Sequence, residues 1–288
     1  MRQRCRWPAI GAALLLVACV VAPAAEDLPE PAVVVVKTGM LAAELQARHL
    51  WNLQRLIHHA NEVAIPTGAY GTIISVPAIG GWVGSGHTQG AIEEIQQVSL
   101  TVDGEAAELT DGATYSGERI VLTKTSLLDK VRLESEYVFS AGRIHERVKL
   151  TALEDVAVTT IYPFMHCLST EATQWMAISQ DNKETRGEFS DSGELTWHEG
   201  WAWTAAYIPK SGTGFLLRHI SAPQGLVVKT GYWDTDRYRK LYVSTPLDEN
   251  VWRAGRSVEA EVVVTCFEAV PEEWKVVACQ VAAGLAGQ

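Results

Sequence analysis

The chain has 288 residues, of which 47% are hydrophobic and 20% charged, with a net charge of −10. That hydrophobic share is ordinary for a globular protein with a real core, and the length suits one large all-β domain or two smaller ones. Without the leader arginines Arg2, Arg4 and Arg6 the balance deepens to −13, a surface that repels polyphosphate and excludes nucleic acid as a partner.

The N-terminus reads as a targeting segment. Three arginines precede an apolar run over 10–21, and the small residues Ala22-Pro23-Ala24-Ala25 follow. This is the layout of a secretory signal over 1–24, and the run is too short to span a bilayer comfortably. Leu16-Val17-Ala18-Cys19 also resembles a lipoprotein processing site, which would leave Cys19 lipidated and the protein attached to a membrane. Cleavage near Ala24 is the reading favoured by the small-residue spacing. Either way the expectation is export: periplasmic, secreted or lipid-anchored. Residues 25–32 are acidic and Pro-rich, a short tether, and 33–288 are expected to form a single β-sandwich domain.

Strands are expected at 33–37, 40–46 and 49–58, with Gly39 and Ala47-Arg48 in the connections. The competing reading is a helix through 41–56, because Leu41, Leu45 and Leu53 also fit helical spacing. A strand at 69–76 ends before Pro77. A Gly-rich loop over 80–90 follows, then a strand at 94–102 and the hairpin signal Asp103-Gly104. The next strands are 115–125, 131–139, 143–152 and 156–165.

The middle pair specifies its own register. Val131, Leu133 and Phe139 alternate with Arg132, Glu134 and Glu136, and Ile144, Val148 and Leu150 alternate with His145, Arg147 and Lys149. A two-residue turn at Ala141-Gly142 sets Leu133 opposite Leu150, Phe139 opposite Ile144, Glu134 opposite Lys149 and Glu136 opposite Arg147. Further strands are expected at 187–190, 194–198, 201–208, 214–219, 225–230, 239–244 and 257–269. Pro271 then opens a short C-terminal helix. So many strands must be stacked, because one open sheet would leave a large apolar face wet. The fold class is all-β, a large antiparallel two-sheet sandwich with a short C-terminal helix.

The order of these features resembles the galactose-mutarotase-like supersandwich proteins, a group of aldose epimerases and of β-sandwich domains in polysaccharide lyases and glycoside hydrolases. The residues that carry the resemblance are Thr38-Gly39-Met40-Leu41-Ala42-Ala43-Glu44-Leu45, the Val98-to-Gly104 hairpin, and the 148–164 segment running into His166. Tyr232-Trp233-Asp234, Leu241-Tyr242-Val243 and Trp252-Arg253-Ala254-Gly255-Arg256-Ser257 complete it. In epimerases of this group a histidine after a central strand and a late glutamate do the acid–base work. The resemblance implies His166 for the first and places no residue for the second.

His166, at a strand end, and His87, in the Gly-rich loop, are the candidate acid–base residues, with Glu93 as the carboxylate partner. Their plain alternatives are a core histidine and a surface loop. Trp201 and Trp203 are expected on one face of a strand, with Trp197 joining them across the Glu199-Gly200 turn, and Trp82, Trp233 and Arg237 complete the substrate-binding candidates. Indole faces suit the C–H surface of a sugar, and Arg237 suits a uronate carboxylate. The alternative is that large rings fill the core. His58 and His59 are adjacent on a strand and would point oppositely, so no metal is expected, and no motif implies a cofactor. Cys167, Cys266 and Cys279 leave open one bridge or three buried thiols. These readings describe an exported carbohydrate-active protein with a saccharide ligand and epimerase- or lyase-like chemistry. A non-catalytic binding module and a structural envelope protein are the alternatives, and oligomeric state is not specified.

Overall fold

The computed structural model describes residues 32–66, 71–84, 90–223, 226–247 and 251–285. The first strands are β1 (Val33–Thr38), β2 (Leu41–Gln46), β3 (Asn52–His58) and β4 (Asn61–Ala64). Residues 41–56 are therefore extended, not helical. Leu41, Ala43 and Leu45 turn inward while Ala42 and Glu44 are half-buried, a two-residue period that a helix would scramble. Next come β5 (Ile73–Val76), β6 (Gly81–Gly84), β7 (Gly90–Ala91), β8 (Glu94–Val102), β9 (Glu105–Ala107) and β10 (Thr114–Ser116).

The long central strands are β11 (Arg119–Leu128), β12 (Val131–Ser140), β13 (Arg143–Ala152) and β14 (Thr160–Leu168). Then follow β15 (Gln174–Ser179), β16 (Glu184–Glu188), β17 (Leu195–Glu199), β18 (Trp201–Ile208) and β19 (Thr213–Ser221). The chain closes with β20 (Lys229–Asp234), β21 (Arg239–Pro246), β22 (Ser257–Glu268) and the helix α1 (Trp274–Gly284). Pro271 lies in the turn leading into α1, whose first residue comes three positions later. Among the described residues no helix is long and apolar enough to cross a membrane.

The strands form a twelve-stranded and a ten-stranded sheet. The larger runs β10-β1-β2-β3-β4-β14-β21-β20-β17, with β5, β6 and β7 branching beside β14; the smaller runs β16-β15-β18-β19-β22-β13-β12-β11-β8-β9. Pairing is antiparallel except for β1 with β10 and β6 with β7. The apolar inner faces of the two sheets share one core, from Val34, Leu45 and Leu56 in one to Leu122, Leu133, Phe139 and Val264 in the other. This is the expected sandwich. The helix covers the outer face of the smaller sheet, where Trp274 stacks on Tyr207 at 5.2 Å and packs near Trp203, Leu216 and Phe267.

The central hairpin has the register read from the sequence: Leu133 faces Leu150, Phe139 faces Ile144, Glu134 faces Lys149 and Glu136 faces Arg147. Ala141 and Gly142 have φ of 49° and 72°, the paired positive values of a type I′ turn. The charges find other partners, however. Arg147 and Lys149 reach Glu259 on β22, at 3.2 and 3.4 Å, because β13 is flanked by β22 on its second side. Cys167, Cys266 and Cys279 are all thiols; Cys167 is buried and Cys279 exposed, so the three are not uniformly core.

Candidate functional site

The sequence candidates part company in space. His166 points inward from β14 and is only 2% exposed. Its Nε2 lies 3.3 Å from Glu146 Oε1 on β13 of the opposite sheet, and neither ring nitrogen has a hydrogen-bond partner. Burial pushes His166 down to about 3 and Glu146 up to about 8. Near neutral pH the pair is thus an uncharged imidazole facing a protonated carboxyl. Glu93 is also interior: its Oε1 is 2.8 Å from Lys124 Nζ and accepts from Ser126 Oγ at 2.6 Å. Lys124 donates to Asn52 Oδ1 at 3.0 Å and to the Leu50 carbonyl at 2.9 Å, and burial lowers its pKa. Tyr137 donates to the same Asn52 oxygen at 3.4 Å. His166 and Glu93 therefore belong to a polar belt inside the sandwich, not to an open cleft. His87 lies outside the described residues.

The tryptophans separate as well. From the sequence, Trp201 and Trp203 share a face; in the structure the β15–β18 ladder slips one residue between Ile178 and Ser179, leaving Ala202 extra. This bulge reverses the alternation. Trp201 turns to the inter-sheet core, its ring 4.6 Å from His198, and Trp203 turns to α1. Each is 5% exposed.

Trp82, Trp197 and Trp233 meet elsewhere, on the outer face of the larger sheet. There β14 presents Tyr162 and Met165, β21 presents Lys240 and Tyr242, and the rings of Trp82, Trp197 and Trp233 pack on them. Trp82 and Tyr162 stack at 4.9 Å and 17°, and Tyr162 and Trp197 are 6.0 Å apart at 27°. Trp197 lies opposite Gly231; a Cβ on Gly231 would come within 2.9 Å of the indole, so the missing side chain lets the ring lie down on the sheet. Lys240 Nζ is 5.0 Å from the Tyr242 ring centre, and burial lowers its pKa. Trp233 and Tyr238 meet edge to face at 5.9 Å, with the exposed Arg237 guanidinium 5.7 Å from the Tyr238 ring. Tyr162, Lys240 and Tyr242 are not among the site candidates read from the sequence. Their signal is a tyrosine or lysine on the outward phase of otherwise apolar central strands.

A smaller cavity of about 190 Å³ opens where β16 and β17, terminal strands of the two sheets, approach each other. Trp175, Phe189 and Tyr232 give it apolar walls, and Glu188, Glu194 and His198 add polar ones. Asp234 organises its rim, accepting from the Ser190 amide at 2.8 Å and pairing with Arg239 at 2.8 Å.

His58 and His59 do not point oppositely along one strand. β3 ends at His58, and His59 sits at φ 49° in the following turn, which brings the two rings to 4.7 Å. Glu268 joins them, the donor atoms of all three lying within 4.8 Å of one another.

No protein-family model matches the chain, and no curated protein matches it. Solved structures do. A galactosidase domain of an alpha-galactosidase–sucrose kinase is 9% identical with a TM-score of 0.51, over 82% of this chain and 40% of that one. A galactose mutarotase-like protein from Lactobacillus casei is 10% identical with a TM-score of 0.49, over 82% of this chain and 100% of that one. A heparan sulfate lyase from Pedobacter heparinus is 7% identical with a TM-score of 0.45, over 80% of this chain and 34% of that one. At these identities the likeness is one of fold alone: over 82% of its length the chain shares the antiparallel β-sandwich of that galactosidase domain.

Proposed function

We propose that this is an exported saccharide-binding protein whose binding surface is the outer face of the larger sheet. The observation that carries the reading is the stack of near-parallel rings Trp82, Tyr162 and Trp197 on that face, with Tyr242 and Trp233 beside them. Such rings offer broad apolar contact to sugar C–H groups at small entropic cost, and Arg237 at the margin can grip a carboxylate with two parallel bonds. A solved neighbour with a TM-score of 0.51 is a galactosidase domain, which is in keeping with a sugar ligand. A second reading, acid–base turnover on the same face, is favoured by Lys240. Burial lowers its pKa, so it holds its proton less firmly than an ordinary lysine. His166, sealed between the sheets, is not assigned that part.

The test is a glycan panel that includes neutral and uronate-containing oligosaccharides, read by calorimetry and by absorbance of unsaturated products. Trp197→Ala is expected to weaken binding of the responding glycan about tenfold, the scale of one lost aromatic contact. Arg237→Ala is expected to weaken only uronate-containing ligands. Wild-type affinity in Trp82→Ala, Trp197→Ala and Trp233→Ala alike removes this face from the function.

A further inference from the structure

We propose that His58, His59 and Glu268 form a binding site for a divalent transition metal of zinc type, which pins the β3–β4 turn of one sheet to the end of β22 in the other. Three independent features converge on it. His58 closes β3 and is 5% exposed, yet its Nδ1 is shut away from solvent with no hydrogen-bond partner. Burying a ring nitrogen in that state is unfavourable unless a partner engages it. His59 occupies a two-residue turn with Ala60, φ 49° and 73°. A regular strand would send its ring to the far side; the left-handed turn folds it back, edge to face with His58 at 88°. Glu268 is the last residue of β22, and its Oε1 is 3.6 Å from His59 Nε2.

A plain His59–Glu268 ion pair would account for only two of these groups and would leave the buried nitrogen idle. Two imidazoles and one carboxylate are a donor set that suits zinc, with bonds of about 2.0–2.1 Å and a fourth position left for water. Donors around such an ion stand roughly 3.3 Å apart by that geometry. The present spread, up to 4.8 Å, closes by rotation of the two outer side chains, His59 at 38% and Glu268 at 58% exposure. His58 is the fixed member. The turn is already held against this end of the smaller sheet: Asn61 Nδ2 donates to Thr213 Oγ1 at 3.3 Å, and Thr213 faces Glu268 in the β19–β22 ladder.

The experiment titrates zinc chloride into chelator-treated, dialysed full-length protein, read by calorimetry and by thermal unfolding. One equivalent is expected to bind per chain. With free zinc roughly a hundredfold above Kd, Tm is expected to rise by about 5–10 °C. His59→Ala and Glu268→Ala, both at exposed positions that leave the core intact, are each expected to weaken binding at least tenfold and abolish the Tm shift. His145→Ala removes a different surface histidine–glutamate pair, His145 with Glu261 at 2.7 Å, and is expected to bind zinc as the wild type does. Absence of stoichiometric binding, equal affinity in His59→Ala and Glu268→Ala, or a loss confined to His145→Ala overturns the site.

Discussion

Gly231 shows how much one missing side chain decides. A Cβ there would stand 2.2 Å from the Thr196 carbonyl oxygen and 2.9 Å from Trp197 Cε3. Backbone cannot yield by that much without moving the terminal strand β17 off β20. Gly231→Ala is therefore expected to destabilise the protein by about 1–3 kcal/mol, as overpacking does, and to tilt Trp197 away from Tyr162. Urea unfolding reads the first effect. Loss of the glycan binding that Trp197→Ala also loses reads the second, and unchanged affinity would show that the ring does not need to lie flat. Trp197 stands out in the sequence, because a segment with three tryptophans in seven residues is conspicuous. Gly231 does not: its partner strand lies more than thirty residues away, and only the ladder reveals who faces whom. Trp201 and Trp203 show the opposite failure. Period-two reading gives them one face, and a single extra residue at Ala202 divides them between two cores.

At the scale of the element, the β12–β13 hairpin is where sequence and structure agree most closely. Alternation on both strands and a two-residue turn leave one register that keeps apolar groups inside, and a slip by one would expose every one of them. Its ion pairs are less legible, since a hairpin seen alone has one neighbour per strand and β13 has two. The turn also carries a removable strain. Ala141 holds φ 49°, a left-handed conformation that a Cβ disfavours and that asparagine tolerates better. Ala141→Asn is expected to raise stability by about 0.5–1 kcal/mol with no change in denaturant slope. A lower urea midpoint would mean that the turn is not type I′ in solution. The same local logic finds α1 but starts it early. Pro271 marks a helix entrance in sequence, whereas the packing of Trp274 on Tyr207 fixes where the helix begins.

For the whole molecule, the feature that composition hides is the polar belt through the sandwich. Its members sit on the inward phase of strands that are otherwise apolar: Lys124 and Ser126 between Leu122 and Leu128, Glu146 between Ile144 and Val148. That misplaced polarity is a sequence signal, but which sheet faces it depends on pairings between segments far apart in the chain. The belt has a consequence for stability. Glu146 rises from 4.5 to about 8 in the fold, so its contribution is fully present below pH 4.5 and is lost as pH climbs through 8. His166 falls from 6.5 to about 3, so its contribution is present above pH 6.5 and is lost as pH drops toward 3. Between pH 4.5 and 6.5 the two slopes oppose each other. This pair thus gives a plateau there, with an alkaline decline of roughly 2 kcal/mol by pH 8. Glu146→Gln keeps the shape and removes the carboxyl's titration. Only the histidine slope then remains, so the variant is expected to gain stability steadily up to pH 6.5 and to hold it beyond, moving the optimum to the alkaline side of the wild type's. Urea midpoints between pH 3.5 and 8.5 measure this directly. Parallel profiles for the two proteins would mean that Glu146 is already ionised in the fold, and that water or a rearranged side chain reaches the centre of the sandwich.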